Sequence, residues 1–308
     1  MSRRAAAQRS AFAMIPARAR DLPIRRTQPL RGVLVAILAF ACALLAALPG
    51  RAGTIADLDA ALALGRTAEI LSAEGVGQGE DLEDSLFPGQ GGARWAAMVA
   101  EIHDADRLYA ELSVALAGAL ADAPQTEIDA MVDFFASDLG ARVVDLELSA
   151  RAALADPAVQ DLADLALEDA RAAEAPELAE IARFIAANDL IERNVMGAMN
   201  ANVAFMRGLS DGGGVPGAAD EGEAAMLADI WAQEEALRAE SEAWVWSFLN
   251  LAYDPLGTDE IAAYVAFSET AAGARLNAAL FAAFDALFEM LSYELGNAAA
   301  SMLAGEQL

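Results

Sequence analysis

The stretch Glu127-Ile128, Val132, Phe134, Gly140-Ala141-Arg142, inside residues 126–151, recurs 133 positions later as Glu260-Ile261, Val265, Phe267, Gly273-Ala274-Arg275. Ser137 of the first copy stands where Thr270 stands in the second. A period this long exceeds the roughly 20–50 residues of a solenoid repeat, so it reads as the duplication of a whole folding unit. Within the first copy Ile128, Val132, Phe135, Leu139, Val143 and Leu146 recur at steps of mostly three or four residues, the period of an amphipathic helix. The expected fold is therefore all-α: an internally duplicated helical bundle with two similar halves packed together, preceded by a signal peptide.

Composition agrees with helix. Apolar residues make up 56% of the 308-residue chain, above the roughly 45–50% of an average soluble protein. Much of the excess is Ala, the best helix former, and β-branched residues are sparse. The chain has one cysteine, Cys42, one histidine, His103, and no lysine, so all 20 basic residues are Arg.

The first 52 residues have the character of a leader. Eight Arg precede the apolar run 33–48, which is followed by Pro49-Gly50-Arg51-Ala52-Gly53. A basic region, an apolar core, a helix breaker and a small-x-small pair (Gly50 and Ala52) predict a secretory signal cut after Ala52 and a periplasmic or secreted protein. The competing reading is a retained anchor, because 16 apolar residues fall only slightly short of the ~18–20 a spanning helix needs. In that case the membrane is met only through this segment. A lipoprotein signal fits less well, with Ala39 where a Leu is wanted three before Cys42. Gln28-Pro29 after Arg25-Arg26 argues against a twin-arginine signal, and Met14 is an alternative start.

Removing residues 1–52 takes away nine Arg and one Asp. It leaves 11 basic against 46 acidic residues, a net charge of −35 with no cysteine. Such a field repels nucleic acid and anionic lipid. No disulfide or thiolate chemistry is available to the mature chain.

In chain order the periodicity predicts helices over 53–74, 94–120, 125–154, 158–174, 176–207, 220–251 and 258–304. Gly-rich loops are expected at 75–92 and 208–217. Asp156-Pro157 supplies an N-cap and a helix-starting Pro. The expected organisation is a first helical repeat at 53–155, acidic linking helices at 156–188, and a second repeat at 189–308.

Both copies of the repeated stretch resemble the bacterial domain-of-unknown-function 2059 family. The first does so through Phe134-Phe135-Ala136-Ser137, Gly140 and Arg142, the second through Tyr253 to Leu256, Phe267, Thr270, Gly273 and Arg275. That family typically shows an aromatic pair, a Ser, a Pro, then Gly and a basic residue. Here Asp138 and Ala271 stand in the Pro position, and Ser268 replaces the second aromatic of the second copy. The resemblance implies an envelope location and assigns no activity.

Physically, Ser137 and Thr270 can cap or bend a helix. Gly140 and Gly273 allow close helix approach at a cost of ~1 kcal/mol in propensity. Arg142 and Arg275 have the reach to pair with carboxylates across the packing. These six residues, with Phe134 and Phe267, form the candidate structural motif. An anion pocket at the helix break is the alternative role for the same residues.

Catalytic signatures are sparse. One His and no mature Cys give no zinc spacing, and no nucleophile elbow, P-loop or dinucleotide fingerprint occurs. His103 is the sole candidate triad histidine, and its neighbour Asp104 points elsewhere on a helix. Glu80-Asp81 and Glu83-Asp84 lack the alternating ligands of a calcium loop. Trp244 and Trp246, two apart, cannot both face one core. No enzyme and no cofactor are expected. The first functional expectation is a non-catalytic interaction or structural module of the cell envelope with a protein partner or a homodimeric state. The alternative is a carrier of an apolar small molecule in a groove formed by Trp231, Phe248, Phe281 and Phe284, with Phe267.

Overall fold

A computed structural model describes residues 52–213 and 227–305. The expected leader, apart from Ala52, and residues 214–217 of the expected second Gly-rich loop lie outside the described residues. Twelve helices and no strands are present among them: α1 Ile55–Ala61, α2 Leu64–Leu86, α3 Gly92–Ile102, α4 Ala105–Ala119, α5 Gln125–Phe135, α6 Asp138–Leu154, α7 Pro157–Ala172, α8 Glu177–Ala187, α9 Leu190–Asp211, α10 Glu234–Tyr253, α11 Thr258–Ser268 and α12 Ala271–Gly305. A helical stretch at 227–231 precedes α10.

Local signals set many of these boundaries. Thr54 and Asp57 form a capping box on α1, while Asp104, Ser137 and Asp156 cap α4, α6 and α7 through their side chains. Each such cap satisfies an N–H that the helix start leaves without a partner. The left-handed residues Ala63 and Asp189 (φ 52° and 53°) separate α1 from α2 and α8 from α9. Here the chain differs from its sequence reading. The long helices expected over 94–120, 125–154, 176–207 and 258–304 each break once, at 103–104, 136–137, 188–189 and 269–270. Periodicity runs through these corners because the apolar stripe continues on both sides.

Of the Gly-rich loop expected at 75–92, residues 75–86 are instead the second half of α2 and only 87–91 form a turn, and Gly208 lies inside α9. These glycines belong to helix faces in tight contact. A Cβ on Gly75 would come within 1.9 Å of the His103 ring, and one on Gly79 within 2.5 Å of Val99. On α9, a Cβ at Gly208 would lie 2.0 Å from the Tyr293 carbonyl oxygen. Gly296 of α12 is in turn 2.1 Å from that of Phe205 in the same sense. Packing overrides the weak helix propensity of Gly because no other residue permits this approach.

One continuous apolar core extends from Leu58 to Met302. α12 is its axis, packed along α9 and against α3, α4 and α5. By length and composition α12 is apolar enough to cross a membrane, yet more than half of its apolar window is buried inside the protein.

Helix order repeats along the chain. α5 and α11 have equal length and lie 133 residues apart, and each leads into a long helix two residues later. The left-handed corners at 63 and 189 lie 126 apart, so the spacing is not constant through α9. α8, expected among the linking helices, packs on α11 as α1 packs on α5. The long helices cross between the halves: α6 packs on α10, and α12 packs on α4.

A Cβ on Gly140 would lie 2.2 Å from the Phe134 carbonyl oxygen, and one on Gly273 2.0 Å from that of Phe267. Gly140→Ala and Gly273→Ala are each expected to destabilise by about 2–3 kcal/mol. Gly77→Ala, on an exposed face of α2 with nothing within 4 Å, is expected to stabilise by ~0.5–1 kcal/mol. Urea denaturation of the three variants checks both signs.

Candidate functional site

The residues of the repeated motif come together where the halves meet. At the α5–α6 corner, the Ser137 hydroxyl accepts the Gly140 N–H at 3.1 Å. At the α11–α12 corner, the Thr270 hydroxyl accepts the Gly273 N–H at 3.0 Å and donates to the Phe267 carbonyl at 2.7 Å. The corners face each other. Phe134 and Phe267 stack with centroids 5.5 Å apart and planes 25° apart, and Phe135 meets Phe267 edge-on.

Ion pairs cross the junction in both directions. Arg142 of α6 binds Glu260 of α11 at 2.6 Å and the Pro255 carbonyl at 2.5 Å. Arg275 of α12 binds Glu127 of α5. Each Arg and each Glu is the other's counterpart at the 133-residue offset, so the same type of pair is made in both directions across the junction. Glu260 is held below the usual carboxylate range, chiefly by the Gly257 N–H and then by Arg142. With side chains 38–44% exposed for Arg142–Glu260, that pair contributes on the order of 1 kcal/mol or less. Its larger role is to fix the register of one corner on the other.

The sequence reading missed the least symmetric part of this junction. Glu147 of α6 is fully buried, and one carboxyl oxygen accepts the hydroxyls of Tyr253 at 2.5 Å and Tyr264 at 2.7 Å. Its second oxygen has no partner. Phe184 of α8 closes the cluster, stacking on Tyr264 at 4.7 Å and meeting Tyr253 edge-on. Burial pushes the Glu147 carboxyl up to about 8 against the two tyrosine hydrogen bonds, which oppose the shift. Both tyrosines are raised well above their ordinary range, first by burial and then by Glu147. At neutral pH the group is a neutral acid held in an apolar core.

A second buried polar set adjoins it through α8 and α11. Asn188 donates to the Phe184 carbonyl and to Ser268, and Asn277 donates to the Asn188 carbonyl. At the offset positions of the other half stand Leu280 for Glu147, Leu120 for Tyr253, Met131 for Tyr264, Phe135 for Ser268 and Val144 for Asn277. One half is apolar where the other is polar. The only signal in the sequence was that mismatch, a Glu among apolar residues on the buried stripe of α6.

The other candidates disperse. His103 is buried at the end of α3 with Nδ1 3.0 Å from the Val99 carbonyl, and burial lowers its pKa. Glu83 accepts the Gly91 and Gly92 N–H groups at the start of α3. Trp244 stacks flat on Phe248, and Trp246 lies under Arg171.

The expected apolar groove needs correction: Phe248, Phe281 and Phe284 fill the core, whereas Trp231 is 54% exposed on the surface. Side chains that pack the core against one another leave no groove between them. A shallow groove of about 590 Å³ does exist, but Gly53, Asp57, Ala60, Val132, Phe135 and Ala141 line it. Among the described residues no three His, Cys, Asp or Glu side chains converge as for a metal.

Residues 116–169 match the family model "Uncharacterized protein conserved in bacteria (DUF2059)". The window holds the end of α4, the α5–α6 corner and most of α7, and the second corner lies beyond it. No curated protein and no solved structure matches the chain.

Glu147 makes stability depend on pH. Its folded value of about 8 exceeds the ordinary 4.5, so between these values the folded state holds a proton that the unfolded chain releases. Its contribution is fully present below about pH 4.5 and is lost as pH rises through about 8, at up to ~1.4 kcal/mol per pH unit. Glu147→Gln removes the titration. Chemical denaturation from pH 5 to 9 is expected to show the wild type losing stability relative to this variant. A constant difference between them would contradict the assignment.

Proposed function

We propose that this chain is a non-catalytic interaction module of the bacterial cell envelope, built from two fused copies of a DUF2059-like helical unit. The crossed Arg–Glu pairs and stacked Phe134–Phe267 support the duplication, since a self-complementary contact of this kind is what two copies of one surface make. The leader-like residues 1–52 support the envelope location.

One observation carries the interaction role: α7, which joins the halves, leaves Leu162 and Leu165 exposed at 65% and 57%. These two side chains lie three apart and so share a helix face. Only Ala163 and Leu167 of α7 are buried. Asp161, Glu168 and Asp169 are exposed around them. An apolar stripe rimmed by acids suits an amphipathic partner segment with Arg or Lys beside its apolar face. A second copy of this chain would bring acid against acid, and an anionic lipid surface would be repelled in the same way.

The test is a photo-crosslinking residue at Ser210 or Leu165 in cells, followed by native mass spectrometry. Leu165 is expected to capture one basic partner, and Ser210 none. Leu162→Asp with Leu165→Asp is expected to abolish the complex while leaving the melting temperature within about 2 °C, because both side chains are on the surface. About 0.5 M salt is expected to weaken the complex by screening. Self-crosslinking would instead make α7 a homodimer face.

A further inference from the structure

Gly53 is held in a manner that ordinary chain entry into a helix does not require. Its N–H donates to Asp129 Oδ1 on α5 at 2.8 Å. The Gln125 amide bridges the same two residues, donating to the Gly53 carbonyl at 2.7 Å and to Asp129 Oδ1 at 2.9 Å. There is no room for a side chain, since a Cβ on Gly53 would stand 2.9 Å from Val132. The acceptor is a carboxylate on a different helix, 76 residues away in sequence, and not the start of α1. Ala52, one residue earlier, is exposed.

We infer that Gly53 is the mature N-terminus and that its freed α-ammonium group is captured by Asp129 and Gln125, so that removal of the leader completes the fold with an ion pair. This rests on the envelope reading above. Hydrolysis of the Ala52–Gly53 bond consumes one water, leaving a carboxylate on Ala52 and an amine on Gly53 that takes up a proton. The amide that donated one hydrogen to Asp129 becomes a cation with three. A neutral contact at 2.8 Å becomes a charge-assisted one, which is shorter and stronger. A side chain at this position would have to displace Val132, so packing as well as the protease favours Gly after the cut. In the uncut precursor the leader must leave from this point, where Gly53 is already seated on α5.

The sequence offers a clean probe, because the chain contains no lysine. The α-amine of the mature protein is its only primary amine. Two measurements separate the two parts of the inference. Intact mass of the protein exported from cells expressing the full chain reports processing: a mass beginning at Gly53 is expected, and retention of residues 33–48 or a cut elsewhere overturns the processing. Independently, a chain made to begin at Gly53 by a removable tag is treated with an acetylating amine reagent at pH 8. Pairing with Asp129 raises the amine's pKa, so acetylation is expected to run about threefold slower than in Asp129→Asn. Acetylation is expected to lower the melting temperature by about 1–3 °C in the wild type and to leave Asp129→Asn unchanged. Equal rates in the two proteins, or equal shifts on acetylation, overturn the capture whatever the exported mass shows.

Discussion

The arrangement depends on two helical corners placed face to face. Each is a short helix, a capped break and a long helix, and each break is sharp because Gly140 or Gly273 lets the second helix start against the carbonyl end of the first. Phe134 and Phe267 stack at the centre, and Arg142–Glu260 and Arg275–Glu127 close the flanks. Everything outward follows from this contact. The long helix leaving each corner runs into the opposite half, α6 onto α10 and α12 onto α4. Neither half therefore has a complete core of its own, and the buried cluster is continuous across both.

The two corners carry the same residue types at the 133-residue offset, and the buried positions where the offset residues differ are informative. A polar group moved into a core costs free energy unless it is hydrogen-bonded, and the junction accepts several at once. Glu147 is the extreme case: two tyrosine hydroxyls satisfy one oxygen, and the other is left unsatisfied. The chain meets this cost by keeping the carboxyl protonated. Glu147 lies on α6 and its partners on α10 and α11, so the cluster spans the junction and ties its integrity to one proton.

The surface tells a simpler story. The chain carries a net charge of −27, and the described cations are used mainly in pairing. Arg151 sits buried against Glu74, Arg107 joins Glu294, and Arg66 joins Asp145. Against that background the exposed leucines of α7 stand out as apolar side chains set inside an acidic rim.

Several features were legible in the residues alone. Ala-rich composition and three-to-four spacing determined that the chain is helical, and the recurrence of Glu, Phe, Gly and Arg at 133 positions marked the elements that meet. The helix start at Asp156 was readable because a side-chain cap is a local contact, and Ser137 was legible as a residue able to cap or bend a helix although the helix was expected to run on through it. The corners at 103–104 and 188–189 were not, because the apolar stripe runs unbroken through them and only packing decides where a helix turns. The glycines of α2 and α9 looked like loops for the same reason: composition records their flexibility, but only the neighbouring helix shows that their lack of a side chain is what is used. The Phe residues expected to line a groove are apolar in either setting, and tertiary structure alone placed them in the core. The crossed ion pairs and the buried Glu147 cluster join residues 106 to 148 positions apart. The sequence by itself determined that the chain is helical and which stretch recurs. Which faces meet, and which carboxyl must stay neutral, was decided by the tertiary fold, because burial and long-range pairing belong to the assembled core.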